Sequence, residues 1–340
     1  MTAFRVASLA LALAAPVAAQ ENPLDPKEWL APWEDRGRTR DPVIAPDGKV
    51  WFVGQSTNYV AYLNPKTGEF KRYSIDAGTN PHNINIDERG GIWYTGNRNS
   101  RIVNLNPETG ELKTFMMPDS TVRDPHTMIW GKDGVAWFTA QQTQRVGRFD
   151  RNTGEIKLWR PSQPRSNPYG IVVDKNGQPW FNLFATNRIG TIDPKTLEYK
   201  EYVLPNERAR GRRIALTSDG MVWYGDYSRG FVAKLDPKTG AVEEWPLPSG
   251  PGSQPYAMTV DDQDRLWLAE TGIVQPNRLV AFDSKTKQFV ASVPIPANGA
   301  RNSTIRHMTF DRLSKIIWFG TDAGTIGGMK VPAELQKLVP

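Results

Sequence analysis

The sequence predicts a seven-bladed β-propeller, on three observations. First, Trp51, Trp93, Trp137, Trp180, Trp223, Trp267 and Trp318 follow one another at 42, 44, 43, 43, 44 and 51 residues. Most stand in one frame, Asp/Asn-Gly-x-apolar-Trp-aromatic, as in Gly134-Val135-Ala136-Trp137-Phe138. A period in the forties is that of a propeller blade, one four-stranded sheet per repeat. Second, seven blades need about 300 residues, and the chain has 340. A single domain over residues 20–340 is therefore expected. Third, the 12 Trp and 27 Pro favour strands and turns over helices.

Each strand can be placed within the repeat. The innermost strand, A, is the apolar run before the Trp: Asn83-Ile84-Asn85-Ile86, Met128-Ile129-Trp130, Gly170-Ile171-Val172-Val173, Ala257-Met258-Thr259-Val260. A turn such as Lys132-Asp133-Gly134 leads into strand B, which carries the Trp. Strand C alternates apolar with polar or small residues, as in Arg145-Val146-Gly147-Arg148-Phe149 and Arg188-Ile189-Gly190-Thr191-Ile192. That alternation suits a half-buried strand. A Pro-x-Thr-Gly hairpin follows, as in Asp236-Pro237-Lys238-Thr239-Gly240, with Gly where positive φ is wanted. The outer strand D covers residues 70–75, 112–117, 156–160, 199–204 and 242–247 in successive blades.

Closure is legible too. Strand D carries an aromatic residue 22 positions after its Trp: Tyr73, Phe115, Trp159, Tyr202, Trp245. Trp29 precedes Trp51 by 22, so residues 27–32 read as a strand D without a blade. The last blade has a strand C at 325–330 and no convincing strand D. The N-terminal strand is expected to complete it, which removes the exposed edge. Two loops break the period, at 272–277 and 297–304.

Residues 1–19 form a signal-peptide pattern: one charge, Arg5, then an apolar run, then Val17-Ala18-Ala19. Cleavage near Ala19 and a secreted or periplasmic location are expected. The run is too short to span a membrane, and no longer one follows. With no Cys there can be no disulfide, thiol catalysis, Cys-ligated zinc or thioether haem. Neither haem nor a nucleotide is expected as a cofactor. The net charge of +6 is scattered, without a Lys/Arg block, which argues against nucleic acid as a partner. A closed propeller is expected to be a monomer.

Function in such a fold belongs at one mouth of the central channel, where strands A begin. Eleven residues before each Trp the chain presents Arg40, His82, His126, Tyr169, Arg212 and Tyr256; Arg306, with His307 beside it, takes the place in blade 7. Only Arg, His and Tyr occupy this ring, and its arginines suit an anionic or carbonyl-rich small molecule. The three His of the chain all fall on or beside it. His82 and His126 lie on adjacent blades, with Asp124 just before the second. Two His and a carboxylate suit either a divalent metal or general-base chemistry, and spacing alone does not choose. A second ring follows each Trp by three or four residues: Gln55, Asn97, Gln141, Asp226, Glu270, Asp322. Asp226 and Glu270 are expected to pair with Arg212 and Arg306 or, alternatively, to bind Ca²⁺.

The repeat resembles the streptogramin B lyase (virginiamycin B lyase) family, seven-bladed propellers with a Pro-His/Tyr-Gly-Ile … Asp-Gly-x-x-Trp-Phe-Thr … Asn-x-Ile-Gly-x-Ile-Asp-Pro-x-Thr-Gly blade. Residues 167–196 show it best. The resemblance implies opening of a cyclic depsipeptide at its ester by elimination, with Mg²⁺ held by a His and two Glu and a second His as base. In this sequence it assigns the base to His126, the metal ligands to His82 and Asp124, and the remaining carboxylate position to Ala140, with Gln141 beside it. The leading expectation is an exported propeller that eliminates a cyclic ester through His126 and His82, with Arg40, Tyr169, Arg212, Tyr256, Arg306 and His307 contacting substrate. The alternatives are a Ca²⁺-dependent lactonase of the gluconolactonase-like propellers, using Asp226 and Glu270, and a non-catalytic propeller that binds a ligand or protein.

Overall fold

The computed structural model describes residues 24–272, 276–295 and 304–335. The expected signal segment and most of the two period-breaking loops lie outside the described residues. Seven four-stranded antiparallel sheets follow one another along the chain, as the Trp period predicts. In blade 2 the strands are Pro81–Ile86, Ile92–Gly96, Arg101–Leu105 and Leu112–Met116. Blade 7 is built from Ile305–Asp311, Ile316–Thr321 and Thr325–Lys330, and its fourth strand is Lys27–Leu30 from the N-terminus. Trp29 pairs in register with Ile326, so the ring closes through its own two ends. No helix among the described residues is long and apolar enough to cross a membrane.

The repeated Trp is the reason each blade packs. Six blades show the aromatic pair that the 22-residue offset predicts. Trp51 lies 5.5 Å from Tyr73, Trp137 5.7 Å from Trp159 and Trp223 5.6 Å from Trp245. Blade 7 makes its pair with the borrowed strand, Trp29 to Trp318 at 5.7 Å. Blade 6 departs: Phe289 stands at the equivalent place and packs on Phe282 instead. Several indole N–H groups find an acceptor six residues upstream. Trp93 donates to Asp87 at 2.9 Å and Trp267 to Asp261 at 3.0 Å. Buried indoles thus carry both their area and their polar atom into the sheet interior. Gly190 on strand C of blade 4 admits the ring of Phe181; a Cβ there would lie 2.2 Å from the ring.

One backbone feature shapes the channel. Every strand A bears a bulge close to its start. In blade 2, Pro81 faces Gly96, and the register resumes at Ile84 facing Tyr94, one residue out of step. The same shift occurs in blade 5 between Gly211 and Ile214. A bulge breaks the strict alternation of a strand. The predicted ring residue and the residue after it therefore both enter the channel.

Candidate functional site at the channel mouth

The structure brings the predicted ring together. His82 and His126 come face to face, with ring centroids 3.5 Å apart and planes at 36°. His126 lies 4.3 Å from the ring of Tyr169. The hydroxyls of Tyr169 and Tyr256 hydrogen-bond to one another at 2.5 Å, and Arg306 donates to Tyr256 at 3.1 Å. Arg212 sits in an aromatic box, 3.6 Å from the ring of Tyr256 and 4.3 Å from that of Tyr227. Above this layer opens a cavity of about 680 Å³. Its charged lining is Arg38, Arg40, Arg98, Arg123 and Arg212, against one carboxylate, Asp124.

Neighbouring blades lock the ring backbone in place. Thr95, on strand B of blade 2, donates to the carbonyl of His126 at 3.2 Å, and Thr139 of blade 3 donates to that of Tyr169 at 2.7 Å. The His126 carbonyl also accepts from His82, whose Nδ1 lies 3.0 Å away. A carbonyl only accepts, so His82 carries its proton on Nδ1 and keeps the lone pair of Nε2. His126 Nδ1 meets the hydroxyl of Thr127 at 2.8 Å, and Arg213 donates to the same hydroxyl at 3.1 Å. Burial, then Arg40, His126 and Arg213, hold His82 well below the usual histidine range. Burial and then Arg213, Arg40 and Arg212 do the same to His126. Both imidazoles are neutral at pH 7.

The residue after each ring position is the part that the repeat did not reveal. Asp41 and Arg213 extend the site downward, together with His307, which the sequence already places beside Arg306. Arg40 pairs with Asp41 at 3.4 Å, and Asp41 also accepts from Asn83 at 2.9 Å. Arg213 donates to the backbone carbonyl of Arg306 at 3.2 Å. Burial, with Arg213 and Arg40 and against the pull of Asp41, lowers His307 to about 4.

The second ring differs from expectation. The carboxylate that meets Arg306 is Asp322, at 2.6 Å, shared with Arg38 at 3.0 Å. Asp226 instead pairs with Arg229 at 2.6 Å and accepts the backbone N–H of Arg210 and of Ser228. Glu270 accepts from the N–H and hydroxyl of Ser249, at 3.2 and 2.5 Å. Arg212 takes aromatic faces rather than either acid, because it projects into a box of rings. A sequence signal existed for Asp226: it precedes Tyr-Ser-Arg-Gly, a turn whose own N–H groups an Asp caps.

A divalent metal of the kind that the family resemblance implies requires free oxygen donors. Asp124 spends its carboxylate on Gln142 N–H, on Thr143 N–H at 3.1 Å and on the Thr143 hydroxyl at 2.6 Å. Ala140 supplies no donor, and several guanidinium groups surround the His pair. Among the described residues no three His, Asp or Glu converge closely enough to hold a metal. These residues do not fit the ion.

A seven-bladed propeller with a polar, histidine-bearing pocket at its channel mouth is the class that fold and site define. The model of the virginiamycin B lyase family matches residues 42–329, and the chain belongs to that family. Virginiamycin B lyase from Staphylococcus aureus is 21% identical, with a TM-score of 0.81 over 91% of this chain and 100% of that one. A catalytically inactive variant of that enzyme with quinupristin superposes at 0.80, again at 21% identity, 91% of this chain and 100% of that one. A streptogramin B lyase structure is 23% identical, with a TM-score of 0.79 over 89% of this chain and 96% of that one. No curated protein matches the chain in sequence.

Proposed function

We propose that the chain is an exported lyase of this family, acting on a cyclic ester by elimination at the channel mouth, with His82 as the base. The observation that carries the assignment is the His82 tautomer. Its Nδ1–H is fixed on the His126 carbonyl, which leaves Nε2 with a free lone pair on a residue that lines the pocket. His126, assigned as base by resemblance, stacks on His82 and positions it.

In the step, Nε2 takes a proton from the carbon next to a substrate carbonyl. The C–H electrons form a C=C bond, and the C–O bond of the ester breaks. The leaving carboxylate departs, so the ring opens without added water. Arg40 and Arg212, both at the pocket, stabilise the negative charge that develops on the carbonyl oxygen. Guanidinium groups thus take the electrostatic part that a metal would otherwise supply.

The test is chromatography with mass detection on a B-type streptogramin. Elimination gives a shifted product of unchanged mass; hydrolysis adds one water; untouched substrate overturns the reading. A second reading, a propeller that binds without turnover, is favoured by unpaired N–H groups on Arg40 and Arg212. It predicts saturable binding with no product.

A further inference from the structure

The arginines at and below the pocket floor outnumber their partners. Arg38, Arg40, Arg212, Arg213 and Arg306 meet around Tyr169 and Tyr256, and the carboxylates that pair with this group are Asp41 and Asp322. Arg40 and Arg213 are each 3% exposed. Nη2 of Arg40 and Nη2 of Arg213 have no hydrogen-bond partner, nor has Nδ1 of His307. Buried guanidinium N–H groups left unpaired are costly, and a stable scaffold has no use for them. Such donors suit carboxylate oxygens, and Arg40 lines the pocket from which a carboxylate would enter.

We propose that this layer is a binding site for a carboxylate, with Arg40 and Arg213 taking its oxygens and the Tyr169–Tyr256 pair taking up one proton as it binds. The site shares Arg40 with the elimination pocket and rests on the binding reading above, and it requires no turnover.

Geometry makes the phenol pair the internal anion of the cage. Tyr256 accepts from Arg306 at 3.1 Å, lies under Arg212 at 3.6 Å and is hydrogen-bonded to the Tyr169 hydroxyl at 2.5 Å. Burial opposes ionisation of Tyr256, but Arg40, Arg212, Arg306 and Arg213 outweigh it and pull the phenol down to about 7. Tyr169 moves the other way, raised by burial and by Tyr256. The other charged or titratable groups of the cage are Asp41 of blade 1, His82 and His126 of blades 2 and 3, Tyr227 of blade 5, and His307 and Asp322 of blade 7. The three His are neutral near pH 7, so the phenol pair is the group that titrates there.

The sign follows. Below its pKa the phenol is neutral and a carboxylate enters without proton exchange. Above it, the phenolate repels the incoming anion until a proton returns. Affinity then falls by about tenfold per pH unit above neutrality, the limit for one linked proton.

Calorimetry on the full chain with malonate, and with malonamide as the uncharged isostere, tests this. The expected results are binding of malonate alone, uptake of one proton in alkaline buffer, and loss of the ultraviolet tyrosinate band on saturation. Arg213→Gln weakens malonate at least about tenfold. Tyr256→Phe keeps the binding and abolishes its pH dependence, which also serves if Arg213→Gln does not fold. Equal binding of malonamide, an affinity that is flat with pH, or a pH slope that survives Tyr256→Phe overturns the proposal.

Discussion

Trp223 and Arg212 stand on neighbouring strands of one blade, and they are held by opposite means. Trp223 is 1% exposed, stacks 5.6 Å from Trp245 and donates its N–H to Thr217 at 3.0 Å. Every part of it is satisfied, and the same arrangement recurs around the ring. Arg212 is wedged among aromatic faces with its Nε unpaired. The repeated region is built for packing alone. The channel mouth gives up satisfied contacts for a set of groups that differ from blade to blade. The difference teaches that stability and chemistry occupy separate residues on the same strands.

That separation can be broken or sharpened by experiment. The largest effect is expected in the repeated region. Trp267, fully buried and bonded to Asp261, should cost roughly 3–5 kcal/mol as Trp267→Ala, read by chemical denaturation. Next comes acidification. His307 is at about 4 in the folded chain, against an ordinary value of 6.5. Above 6.5 both states carry neutral imidazole. Between 6.5 and 4 the unfolded chain takes up a proton that the folded chain refuses, so stability falls as pH drops, by about 3 kcal/mol at most from this group. His307→Gln should flatten that part of the profile; an unchanged slope would place the loss elsewhere. The smallest effect belongs to the mouth. Arg212→Gln removes a cation that lacks a carboxylate partner among the described residues, so stability should stay within about 1 kcal/mol of the parent or rise. A loss as large as that of Trp267→Ala would erase the distinction between the two regions.

What could be read in the sequence follows the same division. The Trp frame, the hairpin glycines and the strand D aromatics obey local rules that repeat, so seven blades and the closure through Trp29 could be placed from spacing alone. The ring from Arg40 to Arg306 was legible because six members stand eleven residues before their Trp and Arg306 stands twelve before Trp318. His307 was legible beside Arg306, but Asp41 and Arg213 were not. They reach the channel through the bulge in strand A, and no residue type common to the seven bulges marks it. The partner of Arg306 was also hidden, because Asp226, Glu270 and Asp322 all follow their Trp by three or four residues and differ in which donors lie nearby. The tautomer of His82 depends on a carbonyl of the next blade, a contact between residues 44 positions apart.

The most direct test of the account is turnover by His82→Ala, with chemical denaturation of the same preparation. If His82 is the base on an independent scaffold, kcat/KM for a B-type streptogramin falls by about 10²–10⁴, while the denaturation midpoint stays close to that of the parent. Undiminished turnover in a folded His82→Ala protein would contradict it.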